Sequence, residues 1–325
     1  MKLSKINSSK FILILLLPFL FAYSYILISN YTFGDQVSYR ALYESLSYTH
    51  FSDVFEIAQR HISASEWLTF YILWIPAVSN IDKDLFVAFA NLLLLSLLFL
   101  VFRKYRANYA IIFLALCNFY VIVLMTGAER LKFSIIFLLL VDLANSRKLK
   151  IFFALLSMLA HLQTILFFAA IFIGKFSQTL VAVIKTKRIS IKDVAPFVVG
   201  IAASMFFIFT QYGGIESKAN AYLGESLNFS EVIQILLILF LGIFILENKI
   251  LYGFSMLPLA SAVLLIGGQR VNMMAVMVFI YFFLLEKNRI THFYMQSCFI
   301  FSLKAFLLFE TFLSMGMDFT AYEKA

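Results

Sequence analysis

Apolar runs and short polar or basic interruptions alternate along this chain from one end to the other. Eleven apolar runs stand out, at 11–28, 66–78, 85–102, 109–125, 130–144, 151–174, 194–210, 231–246, 250–266, 271–285 and 297–315. A helix crossing about 30 Å of hydrocarbon takes about 20 residues, with a lower limit near 17, and several runs meet that length. The apolar stretches lack the period-2 alternation of barrel strands, and there are only four prolines, which argues against a barrel. The pattern predicts an all-α protein in which residues 1–325 form one polytopic integral membrane helical bundle. That bundle has about 10–12 membrane helices, some of them short or re-entrant. No internal repeat, low-complexity segment or Pro-rich linker marks a domain boundary.

Two runs do not fit a single clean crossing. The run 66–78 is too short, and it carries Trp67, Tyr71 and Trp74, aromatics favoured at membrane interfaces; it reads as an interfacial or re-entrant helix. Basic residues decide the second case. With the N-terminus inside and 66–78 not crossing, Arg103, Lys104 and Arg106 fall on the cytoplasmic side, as do Arg147, Lys148 and Lys150, in line with the positive-inside rule. The next basic segment holds Lys175, Lys185, Lys187, Arg188 and Lys192. Keeping it inside requires 151–174 to enter and return as two half-helices of about 18 Å each, bent near His161. The opposite side then holds the loops 29–65 and 211–230 and the helix ends bearing Arg130 and Arg270.

Composition agrees with this reading. The chain is 62% apolar and 14% charged, with 39 Phe and a mean hydropathy of +0.92, against roughly 25% charged residues in soluble domains. The net charge of +8 resides in loop clusters and does not indicate nucleic-acid binding. Cys117 and Cys298 lie within apolar runs and lack metal-ligand spacing. The basic N-terminus followed by an apolar stretch has the outline of a signal peptide. It has no small-residue cleavage site, so a retained first helix is expected.

Charges that persist at membrane depth are the candidates for chemistry, because each costs several kcal/mol, roughly 2.5 to 3.5 for a mid-helix Arg on insertion scales. Arg130 and Arg270 offer planar donor forks suited to phosphate oxygens; snorkelling to head groups is the simpler role for either. His161, alone in an apolar run, suits a proton acceptor or a phosphate ligand. Asp35, Tyr39 and Tyr43 recur at i, i+4 on one helical face, a carboxylate beside rings that fits sugar binding or base catalysis, or simply a helix cap with interfacial tyrosines. Glu66 is either a helix N-terminal charge or a second acid of the site. The other histidines show no ligand spacing to His161, so no metal is expected. Nucleotide-binding motifs are absent, so no cofactor is expected either.

Taken in order, Gly34-Asp35 with Tyr39, then Glu66-Trp67 with Phe70, then a helix opening with Arg130 and ending at Ser146-Arg147-Lys148, then His161 and a late Arg270, resemble the EpsG-like and Wzy-type polysaccharide polymerases of bacteria. The likeness covers roughly 11–174 and, more weakly, 269–283. Where that family has Arg-Gln, this chain has Arg130-Leu131, and the hydroxyl residue following the His is Thr164, at an altered spacing. The resemblance implies a multi-pass glycosyltransferase of the bacterial inner (plasma) membrane. Such an enzyme joins undecaprenyl-diphosphate-linked oligosaccharide repeat units into O-antigen, capsule or exopolysaccharide on the periplasmic or outer face. It implies membrane lipids around the protein and leaves room for a chain-length regulator and a flippase as partners. In such an enzyme Arg130 and Arg270 would hold the diphosphate, His161 or Asp35 would take the acceptor proton, Glu66 would serve the site as an acid, and Tyr39 and Tyr222 would contact sugar. A ligase or other lipid-linked-sugar transferase, or a non-enzymatic flippase, are the alternative readings.

The topology predicts opposite labelling of two engineered cysteines in a background lacking Cys117 and Cys298. An impermeant thiol reagent should reach a cysteine at Tyr48 in intact cells, and one at Lys148 only after permeabilisation.

Overall fold

The computed structural model describes residues 3–62, 66–186, 229–266 and 269–285. Every regular element among them is helical. In chain order these are α1 (Leu3–Asn30), α2 (Asp35–Leu46), a 3₁₀ turn (Phe51–Asp53), α3 (Val54–Ile62), α4 (Leu68–Val78), α5 (Lys83–Lys104), α6 (Tyr109–Leu116), α7 (Phe119–Thr126), α8 (Glu129–Leu143) and α9 (Arg147–Ala160). They are followed by α10 (Thr164–Thr186), α11 (Phe229–Ile245), α12 (Lys249–Ile266) and α13 (Gln269–Leu285). The runs 194–210 and 297–315, residues 211–228 of the second outer loop, and with them Tyr222, lie outside the described residues.

Three helices among the described residues are long and apolar enough to cross a membrane: Lys10–Asn30, Lys83–Lys104 and Thr164–Thr186. The bent pair α6 and α7, at 47°, makes a fourth if counted as one span. Leu68–Val78, Phe229–Ile245, Lys249–Val263 and Val271–Leu285 are apolar but shorter. The break in the 109–125 run follows from Asn118, whose side chain accepts from the Tyr120 backbone N–H and so caps a new helix start.

The described residues divide into two compact units, one up to Leu162 and one from Gln163 to Leu285. In the first unit, Ile28 near the end of α1 packs on Val87 and Ala88 near the start of α5, so the basic start of α1 points away from that end. α5 and α8 run in the same direction. Lys83 at the start of α5 pairs with Glu129 at the start of α8. At their far ends, Lys104 and Tyr105 both reach the Asp142 carboxylate, at 3.0 and 2.7 Å. The 22 residues of α5 make a rod of about 33 Å at 1.5 Å per residue, close to a hydrocarbon thickness of about 30 Å. All three basic clusters, around Lys10, Arg103 and Arg147, therefore belong to one end of this unit, and the acidic side chains Glu66 and Glu129 to the other.

α8 and α9 form an antiparallel hairpin over the short turn Ala144–Ser146. Ser146 caps α9 by accepting from the Leu149 N–H. Small hydroxyl residues bring the two helices together: Ser134 Oγ donates to the Ser157 carbonyl at 2.8 Å, and Ser157 Oγ returns a bond to the Ser134 carbonyl at 2.9 Å. Both serines are fully buried, and such reciprocal bonds are a usual adhesive between helices in an apolar medium.

The run 151–174 is interrupted where expected, at His161, but not as a hairpin of two equal halves. α9 ends at Ala160, and α10 continues unbroken through Lys175 to Thr186. Gly174, the expected end of the run, is a packing residue in the second unit. A Cβ placed there would lie 1.9 Å from Ser255 Oγ and 2.8 Å from the Leu251 carbonyl, so glycine lets α10 press against α12. Gly242 does the same for α11, since a Cβ there would meet the Tyr252 ring at 2.0 Å. Tyr252 is itself fully buried and donates to the Ile238 carbonyl at 2.8 Å.

Gly174→Val should force α10 and α12 apart and destabilise the second unit by about 1–3 kcal/mol, the usual cost of overpacking. A lowered melting temperature of the purified protein in detergent checks this, with Gly253→Val, whose added Cβ meets nothing within 4 Å, as the control.

Candidate functional site

The hairpin register assembles the site. Arg130 lies four residues before Ser134, and His161 four after Ser157. The pairing that joins the serines therefore brings Arg130 on α8 level with His161 at the end of α9. His161 leaves the helix in extended geometry (φ −157°, ψ 124°), which frees backbone groups of the last turn that need partners. The segment leading into α4 supplies them. Thr69 Oγ1 donates to the Ala160 carbonyl at 3.0 Å, and the Leu162 N–H donates to Glu66 Oε1 at 3.3 Å.

Glu66 is the centre of the arrangement. Its Oε1 lies 2.9 Å from His161 Nδ1, and its Oε2 accepts from Arg130 Nη1 at 2.8 Å. Arg130 Nε in turn donates to the Tyr39 hydroxyl of α2 at 3.1 Å. The four residues are 3–7% exposed. Taking a charge to such depth costs several kcal/mol unless a well-aligned counter-charge meets it; here guanidinium and carboxylate do so. An ionised carboxylate only accepts hydrogen bonds, so Glu66 fixes the proton of a neutral His161 on Nδ1 and puts the ring's lone pair on Nε2. Arg130 Nη2 makes no hydrogen bond among the described residues, and 8% of that side chain is exposed.

Five sequence-derived candidates meet in the first unit: Tyr39, Glu66, Arg130 and His161 by direct contact, and Asp35 by electrostatic action on the Arg130 guanidinium. Asp35 opens α2 directly after Gly34, whose φ of 56° and ψ of −133° fall where a side chain is strained, so the turn needs glycine. Glu66 precedes α4 without capping it, and its carboxylate meets Arg130 and His161 instead. Arg270 stands in the first turn of α13, in the second unit, and its side chain lies outside the described residues. Tyr43 has a different polar partner. Its hydroxyl donates to the Ile81 carbonyl at 2.8 Å, and burial, with Asp82 and Glu129 nearby, pushes the phenol up to about 12.

Sequence reasoning missed a second buried ionic group beside the first. Glu129, the neighbour of Arg130, does not pair with it. Its Oε1 accepts from Lys83 Nζ and from Gln36 Nε2, each at 2.8 Å. Lys83 also donates to Gln36 Oε1 at 2.6 Å, and Gln36 Nε2 reaches the Thr126 carbonyl. Lys132, fully buried, donates to the Met125 carbonyl at 3.0 Å. The available signal was the placement of Arg130 and Lys132 in the first turn of a helix, where the macrodipole disfavours cations; tertiary partners had to be holding them. No group of three or more His, Cys, Asp or Glu among the described residues is arranged to hold a metal ion.

Arg130→Met leaves Glu66 as a buried carboxylate without its strongest partner, and should destabilise the protein by about 3–5 kcal/mol. Arg130→Met/Glu66→Gln removes both charges and should be less destabilised than the single variant. Thermal unfolding of the single and double variants measures this coupling.

Comparison with family models, with curated proteins and with solved structures found no match to this chain.

Proposed function

We propose that this chain is a polytopic membrane glycosyltransferase that polymerises lipid-diphosphate-linked oligosaccharide repeat units on the non-cytoplasmic face of a bacterial inner membrane. The observation that carries the reading is the buried sequence of contacts Tyr39–Arg130–Glu66–His161, at the end of the first unit opposite its basic clusters. The order of motifs in the sequence and the apolar, all-helical make-up of the described residues support it.

The reaction needs three things from the protein, and the site residues match them in kind. An acceptor sugar hydroxyl attacks the anomeric carbon of the donor glycan. The bond between that carbon and the diphosphate oxygen breaks, and lipid diphosphate leaves with the electron pair. The acceptor proton goes to His161 Nε2, held basic by the Nδ1–H bond to Glu66. Charge growing on the leaving diphosphate meets Arg130, whose Nη2 has a donor to give while Nε and Nη1 keep the fork in place. Asp35 and Tyr39 on α2 are the groups for sugar hydroxyls and ring faces.

In a strain lacking its own copy of the gene, Arg130→Ala and His161→Ala should each abolish long-chain glycan while single repeat units accumulate on their lipid carrier. The expected loss of rate is about 10²–10³-fold for a lost oxyanion donor. Arg130→Lys should restore little, because an ammonium lacks the planar fork. Gel analysis of the surface glycan reads the outcome. A normal chain-length distribution in these variants would overturn the proposal. Full-length polymer stranded on its carrier would favour a ligase, and loss of all outward-facing repeat units a flippase.

A further inference from the structure

We infer that Lys83 and Gln36 are positioning residues for this site, forming with Glu129 a buried clamp that sets α2 against α8 so that Tyr39 meets Arg130. The inference rests on reading Tyr39 and Arg130 as site residues, but its geometry is independent of the reaction. Gln36 and Tyr39 are three apart on α2, hence on one face, and Glu129 and Arg130 are consecutive on α8. Two bonds thus cross from one helix face to one helix turn: Gln36 to Glu129 at 2.8 Å, and Arg130 to Tyr39 at 3.1 Å. Lys83, from α5, closes the first of these into a triangle, 2.6 Å from Gln36 Oε1 and 2.8 Å from Glu129 Oε1.

Stability does not explain these side chains where they stand. Lys83 is the first residue of α5, where the helix dipole repels a cation, and it is 6% exposed. Glu129 is fully buried, and its Oε2 has no hydrogen-bond partner among the described residues, a state that costs energy by itself. An apolar trio of similar volume would commonly hold helices together as well or better. The polar trio offers direction instead. The Gln36 amide uses its oxygen for Lys83 and its nitrogen for Glu129 and the Thr126 carbonyl, so α2 has one rotational setting that satisfies it. That setting points Tyr39 at the guanidinium.

The test uses the full-length protein carrying 3-fluorotyrosine, with the Tyr39 signal identified by its loss in Tyr39→Phe. Three variants are compared: Lys83→Met, which leaves Glu129 without its cation; Lys83→Met/Glu129→Gln, which is neutral; and Gln36→Met, which keeps the ion pair and removes the Gln36 bonds to Lys83, Glu129 and the Thr126 carbonyl. Arg60→Ala, which breaks an exposed pair with Glu56, is the control. In the neutral double variant the melting temperature should recover relative to Lys83→Met, while the Tyr39 fluorine signal stays displaced. In Gln36→Met, which remains folded on charge grounds, the same signal should move and kcat for polymerisation should fall about tenfold to a hundredfold, with KM nearly unchanged, as expected of a misaligned site. A Tyr39 signal that stays at its native position in the double variant and in Gln36→Met overturns the inference, as does activity that returns together with stability. Normal polymer from Arg130→Ala and His161→Ala would sink the reaction instead, and the fluorine signal would still decide the clamp.

Discussion

A carboxylate drawn out of water into an apolar helical unit must be matched, and the matching of Glu66 organises the first half of this molecule. Its two oxygens meet three groups at two places far from it in sequence: the Arg130 guanidinium, and the His161 ring with the adjoining Leu162 backbone N–H. Each contact does structural and chemical work together. The Arg130 pair neutralises two charges that would otherwise each cost several kcal/mol at that depth. The His161 bond fixes a tautomer. The Leu162 bond satisfies an N–H released when α9 ends, and without such a partner the break in the helix would leave an unpaired donor in an apolar medium.

Small residues and hydroxyls set how closely particular helices approach one another. Ser134 and Ser157 exchange bonds between α8 and α9, and in the second unit Gly174 and Gly242 let their helices approach within reach of Ser255 and Tyr252. Lipid tails are as apolar as leucine, so apolar side chains give helices little reason to prefer one another in a membrane. Close backbone approach and internal hydrogen bonds supply the preference. This explains why register is so well defined between α8 and α9, and register is what lines up Arg130 with His161.

The ionic groups also sort by end. Lys104 and Tyr105 close on Asp142 beside the exposed basic residues, while the Glu66 and Glu129 groups sit about 30 Å away along α5. The basic end requires no buried partners, because exposed lysines and arginines stay solvated. The other end holds its charges inside, where each must be satisfied by a specific neighbour. That asymmetry is the physical reason for seeking chemistry at one end and orientation signals at the other.

Much of this was present in the sequence. Hydrophobic run lengths gave the helical class, Asn118 and Ser146 marked helix starts by their capping chemistry, and the scarcity of charge in apolar runs singled out Arg130 and His161. Those properties are local: period, length and capping depend on a few adjacent residues. The pairing partners were not local. Glu129 stands next to Arg130 in the chain yet bonds to Lys83 and Gln36, whereas Glu66, sixty-four residues away, takes the guanidinium. The continuation of α10 past Gly174 was hidden for the same reason, since whether a glycine ends a helix or admits a neighbour depends on what packs against it. Composition and periodicity thus determined what kind of protein this is and where its costly charges lie. Only the tertiary structure decided which charges face each other, because an ion pair is chosen by three-dimensional distance and by the exclusion of water, neither of which is written in residue spacing.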